Sequence, residues 1–570
     1  MNLRFSPAFA ALFLAVAAPA VAQEELPSVF TETIDVRVVN IEVVVTDKKG
    51  ERVTGLAQED FLLKVDGEEV SLDYFTEVRE GTAAAVGEGG QGAPGTQQGA
   101  KVRTNYLVFI DDFFSVARDR DRVLEALETD LAQLQDGDRI AMVGYDGKQL
   151  EMLTSWTNDP NDLQTAFRRA RGRQAYGLAR LGELRAADIE RQERQNLQAD
   201  MTFRTDGAFQ NNFLETQLDS QDRAFATRIE TQVERAVLAA VSALRSFSSP
   251  EGRRVLLLLS GGWPVSPAEY AVNHLGANPE EVYAGSLDQT FKSQSQLFSP
   301  LSDTANLLGY TIYPVDVPGF FRDTATAAEF AGPRGNSPPP GGFGPSARIP
   351  RELIIHDGYT LLAKATGGQP LINALRDRSL AETVADTRTF YWLGFTPVRL
   401  DDDARHDIEI EIRGRPDLRV RAREGFVDLS RSTEVTMIVE SALLFGDPPS
   451  TVPLGTKFGR PRRSGVGKMK VPLEVGIPMD EITLLPTQGR FVNEVEVRVT
   501  VMDEEGNRSQ TQVDKVTIAG SKPPQPGQRF FYETELTLRR RNHRIVVAVY
   551  DPLSQVILSS TGDIGPKAGR

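Results

Sequence analysis

Residues 102–115 read VRTNYLVFIDDFFS, and this stretch limits what the chain can fold into more sharply than any other. Its centre, residues 106–110, is an unbroken apolar and aromatic run, Tyr106, Leu107, Val108, Phe109 and Ile110. A run without polar alternation fits a strand covered on both faces, the environment of a parallel sheet. The run stops at Asp111 and Asp112, and Phe113, Phe114 and Ser115 follow. Open α/β sheets hold ligands outside the carboxyl ends of their strands, so this loop is the first candidate site.

The pattern after residue 105 alternates between strands and helices. Val123, Leu124, Leu127, Leu131 and Leu134 make one apolar stripe, which predicts a helix over 119–134. Residues 139–145 and 149–154 read as strands joined at Asp146-Gly147. Two helical stretches, 183–201 and 215–247, follow within an unusually long region, and the mostly polar 185–198 reads as a solvated insertion or a partner-binding arm. Residues 254–259, RVLLLL, are a second doubly buried run, ending at Ser260, Gly261, Gly262 and Trp263. A further strand over 310–315 ends at Asp316. On either side the pattern turns to β. Residues 34–46 alternate in part, Asp66-Gly67 is a hairpin signal, 406–412 and 418–422 read as a hairpin across Gly414, and strands recur from 430 onward. Residues 81–99 are rich in Gly, Ala and Gln and read as a flexible linker.

Composition narrows the function classes. A net charge of -15 over 570 residues argues against nucleic acid and against an anionic membrane surface as partner. Arg4, an apolar core over 9–18 and the small-x-small triplet Ala20-Val21-Ala22 read as a signal peptide cleaved near Ala22, which directs the chain to the periplasm or outside the cell. No later run reaches the roughly 18 apolar residues that a membrane span needs. Cysteine is absent, so disulfides, thiolate metal sites and cysteine nucleophiles are excluded. The four histidines, His274, His356, His406 and His543, show no zinc-site spacing. Ser260-Gly261-Gly262 lacks the surroundings of a nucleophile elbow, and Gly367-Gly368 follows a helix where a phosphate cradle needs glycines before one. The reading is non-enzymatic, with a hydrolase as a distant alternative.

The order of these segments resembles a von Willebrand factor type A domain. The flanks VVVTDKKGERVTGLAQEDFLLKVDGEEV, LLAKATGGQP, FYWLGFTP and RVRAREGFVD are similar to the VWFA-related family of secreted bacterial, acidobacterial-type proteins, over about residues 36–428. The resemblance implies an α/β fold class: a doubly wound, mostly parallel sheet (von Willebrand A-like, Rossmann-like) flanked by N-terminal and C-terminal β-sandwich modules. The expected layout is a signal peptide (1–22), an N-terminal β module (28–80), a linker (81–100) and the A-like domain (101–397). That domain carries a helical insertion near 172–225 and a loop over 318–350. A β extension (398–428) and an immunoglobulin-like β-sandwich (430–565) complete it.

The resemblance also implies a metal-ion-dependent adhesion site, which takes Asp-x-Ser-x-Ser, a later Thr and a later Asp. Asp111 and Ser115 match the first and last positions, but Phe113 stands at the middle one and Gly261 at the later Asp. The site is thus a degenerate version, with Asp111, Ser115 and Asp112 as candidate ligands for Mg²⁺ or another divalent cation. Asp316, at the end of another strand, is a further candidate near the same rim; the alternative is that Asp111 and Asp112 cap the following loop and helix, with Phe113 and Phe114 packed over a closed, metal-free rim. Phe113, Phe114, Ser260 and Trp263 are the candidate contacts to a protein or cell-surface ligand. The functional expectation is an exported interaction or adhesion-type protein. A structural or scaffold protein of the periplasm or envelope, with no ligand at the rim, is the alternative.

Overall fold

The computed structural model describes residues 38–84, 99–204, 220–247, 252–272, 291–317, 349–397, 402–445, 454–487 and 489–566. The expected signal peptide, most of the linker, and nearly all of the 318–350 loop lie outside the described residues. The chain divides into a larger unit, Val39–Phe395 with Asp402–Asp428, and a second unit that includes Leu429–Arg570.

The larger unit opens with β1 (Val39–Thr46), β2 (Phe61–Val65), β3 (Glu68–Val70), β4 (Tyr74–Arg79) and β5 (Thr82–Ala83). Asp66 and Gly67 join β2 to β3 with φ of 51° and 83°. Positive φ at both turn residues gives the twist that a two-residue hairpin needs, and Asp-Gly supplies it at little cost. The segment then continues into β6 (Thr104–Asp111), α1 (Ala117–Thr129), β7 (Arg139–Tyr145), β8 (Leu150–Thr157), α2 (Pro160–Gly172), α3 (Gly177–Arg204), α4 (Ser220–Ser246) and β9 (Arg253–Ser260). After it come α5 (Pro267–Val272), α6 (Gln294–Leu308), β10 (Tyr310–Asp316), α7 (Ile349–Ala365) and α8 (Ser379–Thr387). The unit closes with β11 (Phe390–Phe395), β12 (Arg405–Ile412), β13 (Arg419–Arg421) and β14 (Gly425–Val427).

One sheet has the order β10-β9-β6-β7-β8. Its first three pairings are parallel, with Ile110 opposite Leu259 and Phe109 opposite Val143, and β8 closes it antiparallel. All eight residues of β6 are buried, as the apolar run predicts. On one face Val108, Ile110, Leu257 and Leu259 pack with Val123, Leu124 and Leu127 of α1 and with Leu163, Ala166 and Phe167 of α2. The residues in between, Leu107, Phe109, Leu256 and Leu258, are equally buried, and α4 meets β6 and β7. Helix starts follow from capping. Asp159 accepts from the backbone N–H of Asn161 and Asp162 ahead of Pro160, and Ser293 and Gln296 cap α6 reciprocally.

The parallel pairing stops at that sheet, and the other four sheets among the described residues are antiparallel throughout. The expectation of a doubly wound, mostly parallel α/β architecture with separate β-sandwich modules is corrected accordingly: strand, about 39%, exceeds helix, about 34%, and the sheets are mostly antiparallel. The N-terminal strands do not form a module of their own. β1 pairs with β11 and β13, β4 pairs with β11, and β2 pairs with β12. Two sheets, β13-β1-β11-β4-β5 and β14-β12-β2-β3, thereby combine residues 39–83 with residues 390–427. Ile41, Val43, Phe61, Leu63, Phe75, Tyr391, Leu393 and Ile408 form their shared core. The hairpin expected between 406–412 and 418–422 is not made, because β12 takes β2 and β14 as neighbours while β13 goes to β1.

The second unit begins with a helix, α9 (Arg431–Phe445), where strand was expected from 430. Its Val435, Val439, Ala442 and Leu443 are buried at helical spacing. The strands are β15 (Gly455–Phe458), β16 (Arg462–Arg463), β17 (Lys468–Pro478), β18 (Leu485–Thr487), β19 (Arg490–Asp503), β20 (Gln512–Gly520), β21 (Arg529–Arg539), β22 (His543–Asp551) and β23 (Val556–Ile564). They make two antiparallel sheets around one core of Val471, Leu473, Val475, Val497, Val499, Leu536, Val547 and Leu558.

Candidate functional site

The carboxyl ends of β6, β9 and β10 lie side by side, since Ile110 pairs with Leu259 and Ser260 with Asp316. The chain places Asp111 and Ser260 at that edge, at the ends of the two buried runs, with Asp316 at the end of a third strand beside them. What surrounds them differs from an open ligand rim.

Asp111 is fully buried and each of its oxygens accepts twice. Oδ1 accepts from the backbone N–H of Phe113 at 3.0 Å and of Phe114 at 3.2 Å. Oδ2 accepts from Ser260 Oγ and from the Trp263 indole Nε1, both at 2.7 Å. Ser260 Oγ in turn accepts from Gly262 N–H, and Tyr359 donates its hydroxyl to the Ser260 carbonyl at 2.8 Å. The β6 and β9 loops are thus tied to each other through one carboxylate.

Asp112 is equally buried and is held by two guanidinium groups. Arg120 Nη1 lies 2.5 Å from Oδ1, and Arg173 Nε lies 2.6 Å from Oδ2. Arg120 has no exposed side-chain surface and also donates to the carbonyls of Arg171 and Arg173 and to Asp121. Arg173 fits because β7 carries glycine beside it: a Cβ on Gly144 would stand 2.5 Å from Arg173 Nε. Ser115 is buried and its Oγ makes no hydrogen bond, while its carbonyl accepts from Gly177 N–H at 2.9 Å.

The candidate contact residues are mostly inside. Phe114 (4% exposed), Ser260 (0%) and Trp263 (0%) are closed off from any partner in this arrangement, which corrects their assignment as a contact surface. The cause is internal demand. Asp111 needs the Ser260 hydroxyl and the Trp263 indole as donors, and the Trp263 ring stacks on Phe298 at 6.4 Å. Phe113 alone is partly exposed, with its ring over Gly147 of the β7–β8 turn and the Arg180 guanidinium 4.6 Å from its centroid. Asp316 pairs with Arg376 at 2.9 Å and faces His356, whose pKa rises because of that carboxylate.

These residues do not fit a divalent cation. A Mg²⁺ or Ca²⁺ site needs carboxylate oxygens free to ligate, whereas Asp111 and Asp112 have four donors and two guanidinium partners between them. Among the described residues, no three His, Asp or Glu side chains gather as a metal-holding group. Gly261, the position of the later aspartate in the resemblance, cannot carry a side chain here. A Cβ would lie 2.1 Å from the Phe114 carbonyl oxygen. Gly261→Asp, built to restore the pattern, is therefore expected to destabilise the larger unit by about 3 kcal/mol or more without creating cation affinity, as read by urea unfolding with and without Mg²⁺.

Burial also sets the electrostatics. It pushes the Asp111 carboxyl from 3.8 up to about 6, against the lowering effect of Ser260, Trp263 and Phe114. Asp112 is raised by burial too, with Arg120 and Arg173 opposing. A carboxyl raised in the folded chain holds its proton more tightly folded than unfolded. Its contribution to stability is therefore greatest below pH 4 and is lost as pH rises from about 4 to about 6, by on the order of 3 kcal/mol for Asp111. The lowered carboxyls, such as Asp386 beside Arg421 and Arg52, lose their contribution only below pH 4, outside that window. The stability difference between wild type and Asp111→Asn is expected to shrink between pH 4 and pH 7 in urea titrations.

Sequence reading finds Asp111, Asp112 and Ser260 but misses Arg120, Arg173 and Tyr359. Arg120 sits on the first turns of α1 among other charged residues, and Arg173 follows α2, so neither has a local signal marking it as internal.

Among the described residues no helix is long and apolar enough to cross a membrane. No protein-family model matches the chain, and no curated protein does. Solved structures show partial likeness. A Northeast Structural Genomics Consortium target is 11% identical over 21% of this chain and 88% of its own, with a TM-score of 0.14. A β-glucuronidase from Bacteroides uniformis is 10% identical over 32% of this chain and 19% of its own length, with a TM-score of 0.15. A Bordetella pertussis protein described as ApaA is 10% identical over 21% of this chain and 100% of its own, with a TM-score of 0.12. Likenesses at these TM-scores carry no argument about what this chain does.

Proposed function

We propose that the chain is an exported, non-catalytic structural or scaffold protein of the periplasm or envelope, in which the Asp111 edge is a fold-holding element and takes no ligand. The observation that supports this reading is the closure of Asp111 itself, with four donors from the ends of two strands on one fully buried carboxylate. Export rests on the sequence of residues 1–22. A second reading, an adhesion-type contact at the same edge, is favoured by one observation: Phe113 is partly exposed beneath Arg180. A pull-down from the native envelope fraction with wild type and Phe113→Ser, in Mg²⁺ and in EDTA, separates them. The scaffold reading expects no captured species to depend on Phe113 or on the cation. A species lost from the Phe113→Ser sample would favour the adhesion reading instead.

A further inference from the structure

At the other end of the same strands lies a cleft of about 120 Å³ lined by Glu42, Arg254, Asn306, Thr311, Trp392 and Arg423, among others. Its charge is unbalanced. Glu42 is already engaged, by Arg253 Nε at 2.8 Å and by the Thr311 hydroxyl at 3.0 Å. Arg254 donates Nη1 to the Leu308 carbonyl at 2.6 Å. Arg423 donates Nη1 to the Asn306 carbonyl at 2.6 Å and Nη2 to the Asn40 carbonyl. Both guanidiniums are therefore fixed by neutral backbone oxygens, two of them in the last turn of α6, and neither forms an ion pair with a carboxylate of the described residues. The Nε of each, and Asn306 Oδ1, make no hydrogen bond. Arg423 is only 8% exposed and Asn306 only 4%. Burial brings the Arg423 pKa down to about 10 against the opposing charge of Glu42, and Glu42 also faces Arg253, so one carboxylate serves two guanidiniums. Arg254, partly exposed, adds a further guanidinium that pairs with no carboxylate among the described residues, so the cleft carries an excess of positive charge that an anion would balance.

We propose that this cleft binds a small oxyanion, a carboxylate or phosphate, between Arg254 and Arg423. Guanidinium groups recognise both through paired charge-assisted hydrogen bonds. Fixing by the α6 carbonyls means that little side-chain freedom is lost on binding. The cleft, of about 120 Å³, has room for orthophosphate or an acid of a few heavy atoms. Trp392 at the wall supplies a reporter.

The test is calorimetric and fluorescence titration of the full chain with sodium phosphate, acetate and glycolate, against chloride at matched ionic strength. Saturable binding of at least one oxyanion is expected, with a change in tryptophan emission that Trp392→Phe removes while the heat remains. A phosphate-only or carboxylate-only response fixes which oxyanion the cleft takes. Arg254→Gln, at a partly exposed position, is expected to weaken binding about tenfold, and Arg423→Lys to weaken it through loss of the fork. Absence of saturable binding by all three anions, or equal affinity in wild type and both variants, overturns the proposal.

Discussion

Asp111→Ala is expected to lower the stability of the larger unit by about 3–5 kcal/mol at pH 7. The side chain is small, so lost packing is a minor part of this. The loss comes from the four donors that the carboxylate now serves: Phe113 N–H, Phe114 N–H, the Ser260 hydroxyl and the Trp263 indole. Each becomes a buried donor without an acceptor, at roughly 1–3 kcal/mol apiece. Removing the cost of burying the charge itself, visible in the raised pKa, offsets part of that sum. Asp111→Asn keeps the volume and one carbonyl but turns an N–H₂ group toward two of the donors, so it is expected to recover only part of the loss. The three tryptophans, Trp156, Trp263 and Trp392, all belong to the larger unit, so the midpoint of urea unfolding followed by tryptophan emission reads that unit alone. A loss under 1 kcal/mol would show that the loops do not depend on Asp111.

The second large effect is expected at Arg120. Arg120→Met leaves Asp112 buried with Arg173 as its remaining partner, and uncouples the carbonyls of Arg171 and Arg173 from their shared donor. Removing one member of a buried ion pair costs about 3–5 kcal/mol, because the other charge stays behind. Arg120→Lys keeps the charge but cannot span Asp112, Asp121 and two carbonyls with one ammonium, so it is expected to fall well short of wild type. The double variant Arg120→Met/Asp112→Leu removes both charges of this pair but leaves Arg173 with Glu151 alone, so it is expected to recover part of the stability lost in the single one. A double-mutant cycle in urea should give a coupling of about 2–3 kcal/mol. Additive single effects would contradict the pairing.

The two buried runs were legible because a doubly covered strand writes its environment into five or six consecutive apolar residues. The Asp66-Gly67 hairpin was legible because its turn demands two residues tolerant of positive φ. Strand partners were not. Alternation in β1 or β12 says that one face is buried, and nothing in either segment says that β1 takes a neighbour about 350 residues away or that β12 returns to β2. This is why the class was read as a parallel sheet between two self-contained β modules. α9 falls in the stretch expected as β from 430 onward, although its Val435, Val439 and Leu443 stand at helical spacing.

At the site, the location was legible and the chemistry was not. Asp111 and Asp112 end a buried strand, and that much the apolar run dictates. The Asp112 charge is met by Arg120, eight residues on, and by Arg173, sixty-one residues on, at positions that only the packing of α1 and α2 against the sheet brings together. Phe113, which breaks the ligand pattern, covers the turn at Gly147, and Gly261 is needed for the Phe114 carbonyl to pass. Both departures from the adhesion-site pattern therefore have a packing cause.

The closed edge is the central claim, and a thermal melt tests it most directly. A cation that binds only the folded chain must raise the melting temperature by mass action, by about 2.7 kcal/mol of stability at a hundred times its dissociation constant. Tryptophan-detected melts of the full chain in 10 mM Mg²⁺, Mn²⁺ or Ca²⁺ are expected to coincide with the melt in EDTA at equal ionic strength. A rise of several degrees with any of the three, abolished by Asp111→Asn, would contradict it.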